Sequence, residues 1–549
     1  MDYSTKGSTI SYPVTVNGIH LLAASARDIA EALNQQHVTS EQLVDAYIAR
    51  IEANDRTGLN LQSVIEIAPT AREVAKKLDE ERQSGAIRSA IHGLPILVKD
   101  NYNVDTELGV NTTAGSYALL GSHASGDAFV VKKLRDAGAI ILGKANLNEF
   151  SGQRGAVNSS AWSARGGRIS SAYVFGGFSA GGDPSGSSGG SAVSVSAGFA
   201  AAALGTDTEG SIGSPANRAA LFGLRPSTGL TSRTGVVPIS SSQDTTGPLA
   251  KSVWDVAALL EIMAVHDDED AYSAAAEPFR LKNYTQFVDG PSFKGLRVGV
   301  PREPFWNQTF QQYRAATNPA LDAVLDKMRD LGAEIIDPVV LPNEADWRYP
   351  FVGGAKRDSA GAIIIRKSTA MPRTQYTRLQ STNPRLMLPE HDTKEDMANY
   401  LTRYRTNTTG MESLFDIISF NEANVELESA PGVYGQDSFL AADQTGPRNT
   451  SSEYWHAKYV QEQLGKDGIE AVFRLHKLDV LAVPTEGSAS RFGAVGRCPV
   501  GNVPVGYDEI NLPFGMSFVG KRYDEATVLR AMAAFEANFP ARELPPTLD

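Results

Sequence analysis

Short apolar runs and helix-period segments follow one another along most of this chain, and that alternation restricts the fold more than any other feature. Residues 94–98 are apolar and bounded by Gly93 and by Lys99-Asp100, which predicts a buried strand. Residues 128–137 have helical character, Gly138 ends them, and 139–142 predict the next strand. The same reading gives a helix over 252–265, a strand over 296–300, a helix over 320–331 closed by Gly332, strands over 334–336 and 478–483, and a final helix over 525–539. Near the start, Thr39 and Gln42 make a capping-box pattern, and Leu43, Tyr47, Ile48 and Ile51 fall on one face of a helix over 39–53. Strands alternating with helices predict an α/β layered fold. No internal repeat and no domain boundary interrupts it.

Two stretches depart from the pattern. Residues 152–247 are dense in Gly, Ser and Thr yet contain apolar segments, which a flexible linker lacks. The most apolar of these segments, 192–204, is rich in Ala, Ser and Val and reads as one helix. Residues 351–455 have weak periodicity and many polar side chains. They read as an inserted or peripheral region over the core, expected to shape a substrate pocket.

Composition removes several function classes. The net charge of −12 repels phosphate backbones, so nucleic acid is not an expected partner. No stretch reaches the roughly 18 apolar residues that span a bilayer, and residues 1–12 lack a secretion pattern, so no membrane association and a cytoplasmic location are expected. The single cysteine, Cys498, cannot form an internal disulfide or a thiolate metal cluster, and it reads as a packing residue. No His-Glu pair has metal-ligand spacing, no phosphate-binding glycine loop ends in Gly-Lys-Ser/Thr, and neither metal nor cofactor is expected.

Three local elements carry chemistry. The run from Asp183 to Ser191 is dense in serine and glycine and leads toward the apolar segment at 192. It is either an ordinary loop or one that presents hydroxyls and N–H groups to a ligand at a helix start. In Gly205-Thr206-Asp207-Thr208-Glu209-Gly210-Ser211-Ile212, Gly210 allows a sharp turn before Ser211. Ser211 is either a simple turn residue or a serine around which backbone N–H groups converge, as an oxyanion hole requires. Lys99 ends a buried strand, where an ammonium costs several kcal/mol unless paired or neutral. Either Asp100 or the strand's end takes the charge to solvent, or Lys99 has a lowered pKa and acts as a base. His92 beside Gly93 reads as structural, so no Ser-His-Asp site is expected.

Together these elements resemble the amidase signature family. The resemblance rests on His92-Gly93-Leu94-Pro95 through Val98-Lys99-Asp100-Asn101, on Gly186-Ser187-Ser188-Gly189-Gly190-Ser191, and on the stretch from Gly205 to Ile212. Residues 139–146, 222–227, 244–248 and 483–485 add to it, and it extends from about Leu21 to Phe539. Arg154-Gly155, residues 162–167 and residues 242–245 make the chain most similar to the peptide amidase type.

The resemblance implies one α/β/α domain over residues 1–549 with a large mixed central sheet, and a Ser-cisSer-Lys triad. By motif, Ser211 is the nucleophile, Ser187 the bridging serine that follows a cis peptide bond, and Lys99 the base. Backbone N–H groups of Thr208, Glu209, Gly210 and Ser211 would hold the oxyanion, with Thr206, Asp207 and Ser188 supporting the loops. The implied activity is hydrolysis of a carboxamide through an acyl-Ser211 intermediate, giving an acid and ammonia or an amine. Acyl transfer to an amine, or a role within an amidotransferase complex, is the alternative. A small-molecule or peptide amide is the implied substrate, and a homodimer a family-level expectation. Two departures stand out: Glu209 replaces a common Gly, and Gly213 stands where glutamine-handling amidotransferase members carry Arg. The stretch 173–183 is longer than usual and expected to alter access to the pocket.

Overall fold

The structure, a computed structural model, describes residues 13–155, 160–306, 317–344, 384–406, 409–430 and 435–548. Much of the region 351–455, namely 351–383, therefore lies outside the described residues.

Local signals set many of the elements. The helix Ser40–Asn54 starts at Thr39, whose hydroxyl accepts from Gln42 N at 3.2 Å while Gln42 Oε1 accepts from Thr39 N at 3.1 Å. Such a cap is worth about 1 kcal/mol. Leu43, Tyr47, Ile48 and Ile51 are buried, as their spacing predicts. The helix Phe129–Asp136 runs into Gly138, which takes φ 91°, and the strand Ile140–Ala145 follows at once. The helices Val253–Met263, Asn318–Asp330 and Glu525–Asn538 likewise occupy the predicted segments.

Among the described residues eleven strands form the central sheet: β1 Val64–Ile67, β2 Pro95–Lys99, β3 Ile140–Ala145, β4 Ala202–Asp207, β5 Phe222–Arg225, β6 Thr245–Ala250, β7 Arg297–Gly299, β8 Glu334–Ile336, β9 Val480–Pro484, β10 Val500–Tyr507 and β11 Pro513–Val519. Their spatial order is β8-β7-β9-β11-β10-β5-β6-β4-β2-β3-β1. Parallel pairing joins β3-β2-β4 and β8-β7-β9, while the strands between them pair antiparallel, so the sheet is mixed. Strands β2, β3 and β4 are buried along their whole length. That is the condition for near-continuous apolar runs in parallel strands covered on both faces.

One expected element is different. The run 192–204 is not a single helix: a helix Gly189–Ser196 ends, the chain turns, and β4 begins at Ala202. Gly198 takes φ 66°, and a Cβ there would lie 2.9 Å from Leu21 O. The buried Arg50 guanidinium donates to Ala197 O at 2.8 Å and Gly198 O at 3.0 Å, satisfying carbonyls at the break. The Ala/Ser/Val composition does not reveal this, because both halves are equally apolar and small. Gly205 consequently sits inside β4 and does not directly follow a helix.

Candidate active site

Strands β2 and β4 are parallel neighbours, with Ile96 opposite Ala202 and Val98 opposite Leu204. Their C-terminal ends therefore emerge side by side, one carrying Lys99 and the other Thr206 and Asp207. Open α/β sheets place their chemistry at such ends. The loop before the helix Gly189–Ser196 brings Ser187 to the same point, and the Gly186–Ser187 peptide bond is cis.

Lys99 is completely buried, and its Nζ lies 2.7 Å from Ser187 Oγ, 2.8 Å from Thr206 Oγ1 and 3.4 Å from Thr206 O. Asn101 Nδ2 donates to Thr206 Oγ1 at 2.9 Å, which leaves the threonine proton free to point at the amine. Burial pulls the Lys99 pKa down to about 7, against the opposing charges of Asp207 and Asp244. Asp100 does not serve Lys99. Its carboxylate accepts from Thr113 Oγ1 at 2.6 Å and Gly115 N at 3.0 Å and lies 3.7 Å from Lys144 Nζ.

The two serine loops are tied together. Ser188 N donates to Ser211 O at 3.2 Å, and Ser188 Oγ donates to Thr206 O at 3.2 Å. Ser211 itself is partly buried, just before the short helix Gly213–Asn217. Asp207 shapes the turn: Oδ1 accepts from Gly210 N at 2.8 Å and Oδ2 from Ile212 N at 2.7 Å. Arg225 holds Asp207 in turn, donating to its carbonyl at 2.9 Å and to Gln243 O and Gly493 O at 2.8 Å each. Gly210 takes φ 91°, and a Cβ there would lie 2.8 Å from Ser490 Cβ, so the turn needs glycine on both counts.

This geometry alters three expectations. The Gly210 N–H, expected to face a ligand, donates to Asp207 Oδ1 instead. Thr206 is more than loop support, because its hydroxyl touches the lysine directly. Asp100, weighed as a partner for the Lys99 charge, serves Lys144 instead. Asp207 and Ser188, expected as loop support, make the loop hydrogen bonds given above. His92 lies at the opposite end of β2 with its Nε2 2.9 Å from Leu78 O, well removed from the serines. Cys498 is buried and its thiol is pushed up to about 12 by that burial. The stretch 173–183 is anchored: Tyr173 Oη donates to Glu543 O at 3.0 Å, and Asp183 O accepts from Arg218 at 2.9 Å.

Sequence reasoning missed several participants. Asn101 and Arg225 lie inside the motifs named above but drew no role there, and Lys144 repeats the Lys99 pattern of a lysine at the end of an apolar strand. A cavity of about 360 Å³ opens beside Asn101, Thr206 and Thr208 and is walled partly by Asp396, Tyr400 and Arg403. Thr208 Oγ1 donates to Asp244 there at 2.6 Å. Among the described residues no cluster of three or more His, Cys, Asp or Glu side chains is placed to hold a metal, and no helix is long and apolar enough to cross a membrane.

Known proteins resemble this arrangement along most of the chain. The Amidase family model matches residues 42–420. A probable amidase of Arabidopsis thaliana is 35% identical over 517 residues, 93% of this chain and 89% of its own length. The peptide amidase of Stenotrophomonas maltophilia superimposes with a TM-score of 0.81 at 34% identity, covering 95% of this chain and 98% of that one. A glutamyl-tRNA(Gln) amidotransferase subunit of Chloroflexus aurantiacus is 30% identical, covering 94% of this chain and 96% of its own. The chain belongs to the amidase signature family and is an amidase enzyme.

Proposed function

We propose that this amidase cleaves a carboxamide through an acyl-Ser211 intermediate, with Lys99 as base and Ser187 as the proton relay. The observation that carries the reading is a fully buried lysine amine 2.7 Å from Ser187 Oγ, with hydroxyls and a carbonyl around it instead of a carboxylate. A neutral amine accepts the Ser187 proton, Ser187 takes the Ser211 proton, and Ser211 Oγ attacks the carbonyl carbon. The proton then returns by the same path to the leaving nitrogen, the C–N bond breaks, and ammonia or an amine departs. Water deprotonated by the same relay hydrolyses the ester to a carboxylic acid and free Ser211.

The turn supports the reading, because Asp207 and Arg225 fix it before substrate arrives. With Gly210 committed, the N–H groups of Thr208, Glu209 and Ser211 are the candidate oxyanion donors. A lost donor of this kind typically costs about 2.7–4 kcal/mol of transition-state stabilisation. Walls contributed by residues 396–404 agree with a substrate-shaping role for the region 351–455. A serine-directed sulfonyl fluoride tests the assignment: peptide mass analysis should place the adduct on Ser211, and an adduct elsewhere would move the nucleophile.

A second reading, acyl transfer within an amidotransferase-type assembly, is favoured by the likeness to the Chloroflexus aurantiacus protein. Gly213 weighs against it. A Cβ at that position would meet only Thr485 Cγ2 at 3.8 Å, so glycine is not demanded by crowding, and an arginine able to pair a substrate carboxylate is absent there. Ammonia release by the chain alone from an uncharged amide, with no gain from an added amine acceptor, separates the two readings.

A further inference from the structure

The surface away from the serines carries a second cavity, about 530 Å³, between the helical segment Leu464–Glu470, the helix Ala471–His476, the turn at Cys498 and the loop at Lys521-Arg522. Arg474, Lys477, Lys521 and Arg522 line it, against the single carboxylate of Glu470. In a chain of net charge −12 this is a local reversal of sign. No ion pair engages any of the four cations among the described residues.

Arg474, Lys477 and Lys521 are exposed at the rim, and Arg522 is half-buried. Arg522 donates to Tyr523 Oη at 3.0 Å, but its Nε is buried without a hydrogen-bond partner. Lys521 Nζ stands 5.8 Å over the Phe473 ring. Gathering four like charges around one concavity raises the local potential, and an entering anion relieves that repulsion while gaining charge-assisted hydrogen bonds. The inner wall differs from the rim: Phe473 is buried, and so is Cys498. A rim of cations over an apolar, aromatic floor matches an anion with an apolar body.

We propose that this cavity is a binding site for a small organic dianion, a phosphate monoester or a dicarboxylate with an apolar body. The site is separate from Lys99, Ser187 and Ser211, and the proposal does not depend on the mechanism given above.

The test is calorimetric titration of the full chain at low ionic strength with phenyl phosphate and, separately, phthalate. One of them should saturate a single site. Phenyl phosphate binding tighter identifies the phosphate class, and phthalate binding tighter the dicarboxylate class. The double variant Lys477→Glu, Lys521→Glu should weaken that binding by about tenfold or more, with amide hydrolysis and melting temperature unchanged. Should the double variant melt early, Lys521→Ala alone gives the same comparison with a smaller loss. Failure of both anions to saturate, or equal affinity in wild type and variant, overturns the proposal.

Discussion

Lys99 and Lys144 make an instructive pair. They sit on neighbouring parallel strands, β2 and β3, and both are fully buried. The register pairs Val98 with Lys144 and Lys99 with Ala145, so the two lysines point to opposite faces of the sheet. Burial is the largest influence on both and lowers both, Lys99 to about 7 and Lys144 to about 8. Their partners differ in kind. Lys144 faces the Asp100 carboxylate at 3.7 Å, Thr112 Oγ1 at 2.9 Å and the Tyr102 carbonyl, whereas Lys99 faces two hydroxyls and the Thr206 carbonyl. A carboxylate stabilises an ammonium, while a hydroxyl can donate to a neutral amine. Desolvation alone therefore does not make a base. Lys251 reinforces the point: burial also pulls it to about 7, yet its hydrogen bonds go to the Leu21 and Ala24 carbonyls, at 2.6 and 3.0 Å, and to no serine among the described residues.

Substitutions can break this contrast. The largest effect is expected from Ser211→Ala, which should lower kcat by more than about 10⁴-fold with an unchanged melting temperature; a folded variant with substantial turnover would remove Ser211 from the chemistry. Lys99→Met should cost about 10²–10⁴-fold, the range for a positioned base. Lys144→Met should instead act on stability, by about 3–5 kcal/mol, because it removes the ammonium facing the buried Asp100 carboxylate. Chemical denaturation and the activity of the remaining folded fraction read these two effects separately. If Lys144→Met abolished turnover in a fully stable protein, the two lysines would have exchanged roles.

The pH dependence sharpens the comparison further. Protonated Lys99 cannot accept a proton, so kcat/KM should fall as pH drops through about 7, and that acidic limb should vanish in Lys99→Met. The same lowered value affects stability with a definite sign. Between about 7 and the ordinary lysine value near 10.4, the unfolded chain binds the extra proton, so this group makes the fold more stable as pH rises through that window. The smallest effects belong to Thr206→Val, about tenfold in kcat/KM from the loss of one hydroxyl contact to Lys99, and to Lys251→Met, for which steady-state kinetics should find no change.

The sequence shows the site more clearly than it shows the reasons for it. Glycines and a lysine in unusual places mark the segments of Lys99, Ser187 and Ser211 locally, but their proposed roles come from the resemblance to the amidase signature family. The capping box at Thr39 and Gln42 is legible for the same reason: both ends of each hydrogen bond lie within three residues. The break in 192–204 is not, because it depends on Arg50, about 147 positions away, and on pairing of β4 with β2 and β6. The hydrogen bond from Gly210 N to Asp207 is hidden likewise: the place of an N–H in the chain says nothing about which neighbouring carboxylate claims it. Lys144 repeats a visible signal, but its partner Asp100 is the residue next to Lys99 in the chain, and only the strand register separates the two faces.

The single hydrogen bond from Ser188 N to Ser211 O has a consequence for motion. It couples two segments 23 positions apart in the chain, so the Ser211 loop and the Ser187 loop are held against independent drift on the nanosecond scale on which free loops move. Under the proposed mechanism, fluctuations that would separate Ser211 from Ser187 are replaced by fluctuations that carry both together, which would conserve the distance the relayed proton must cross. Amide exchange at Ser188 should accordingly be slow for a loop residue, and it should quicken when the Ser211 turn is loosened from a distance by Arg225→Lys, which forfeits the planar fork that Asp207, Gln243 and Gly493 share.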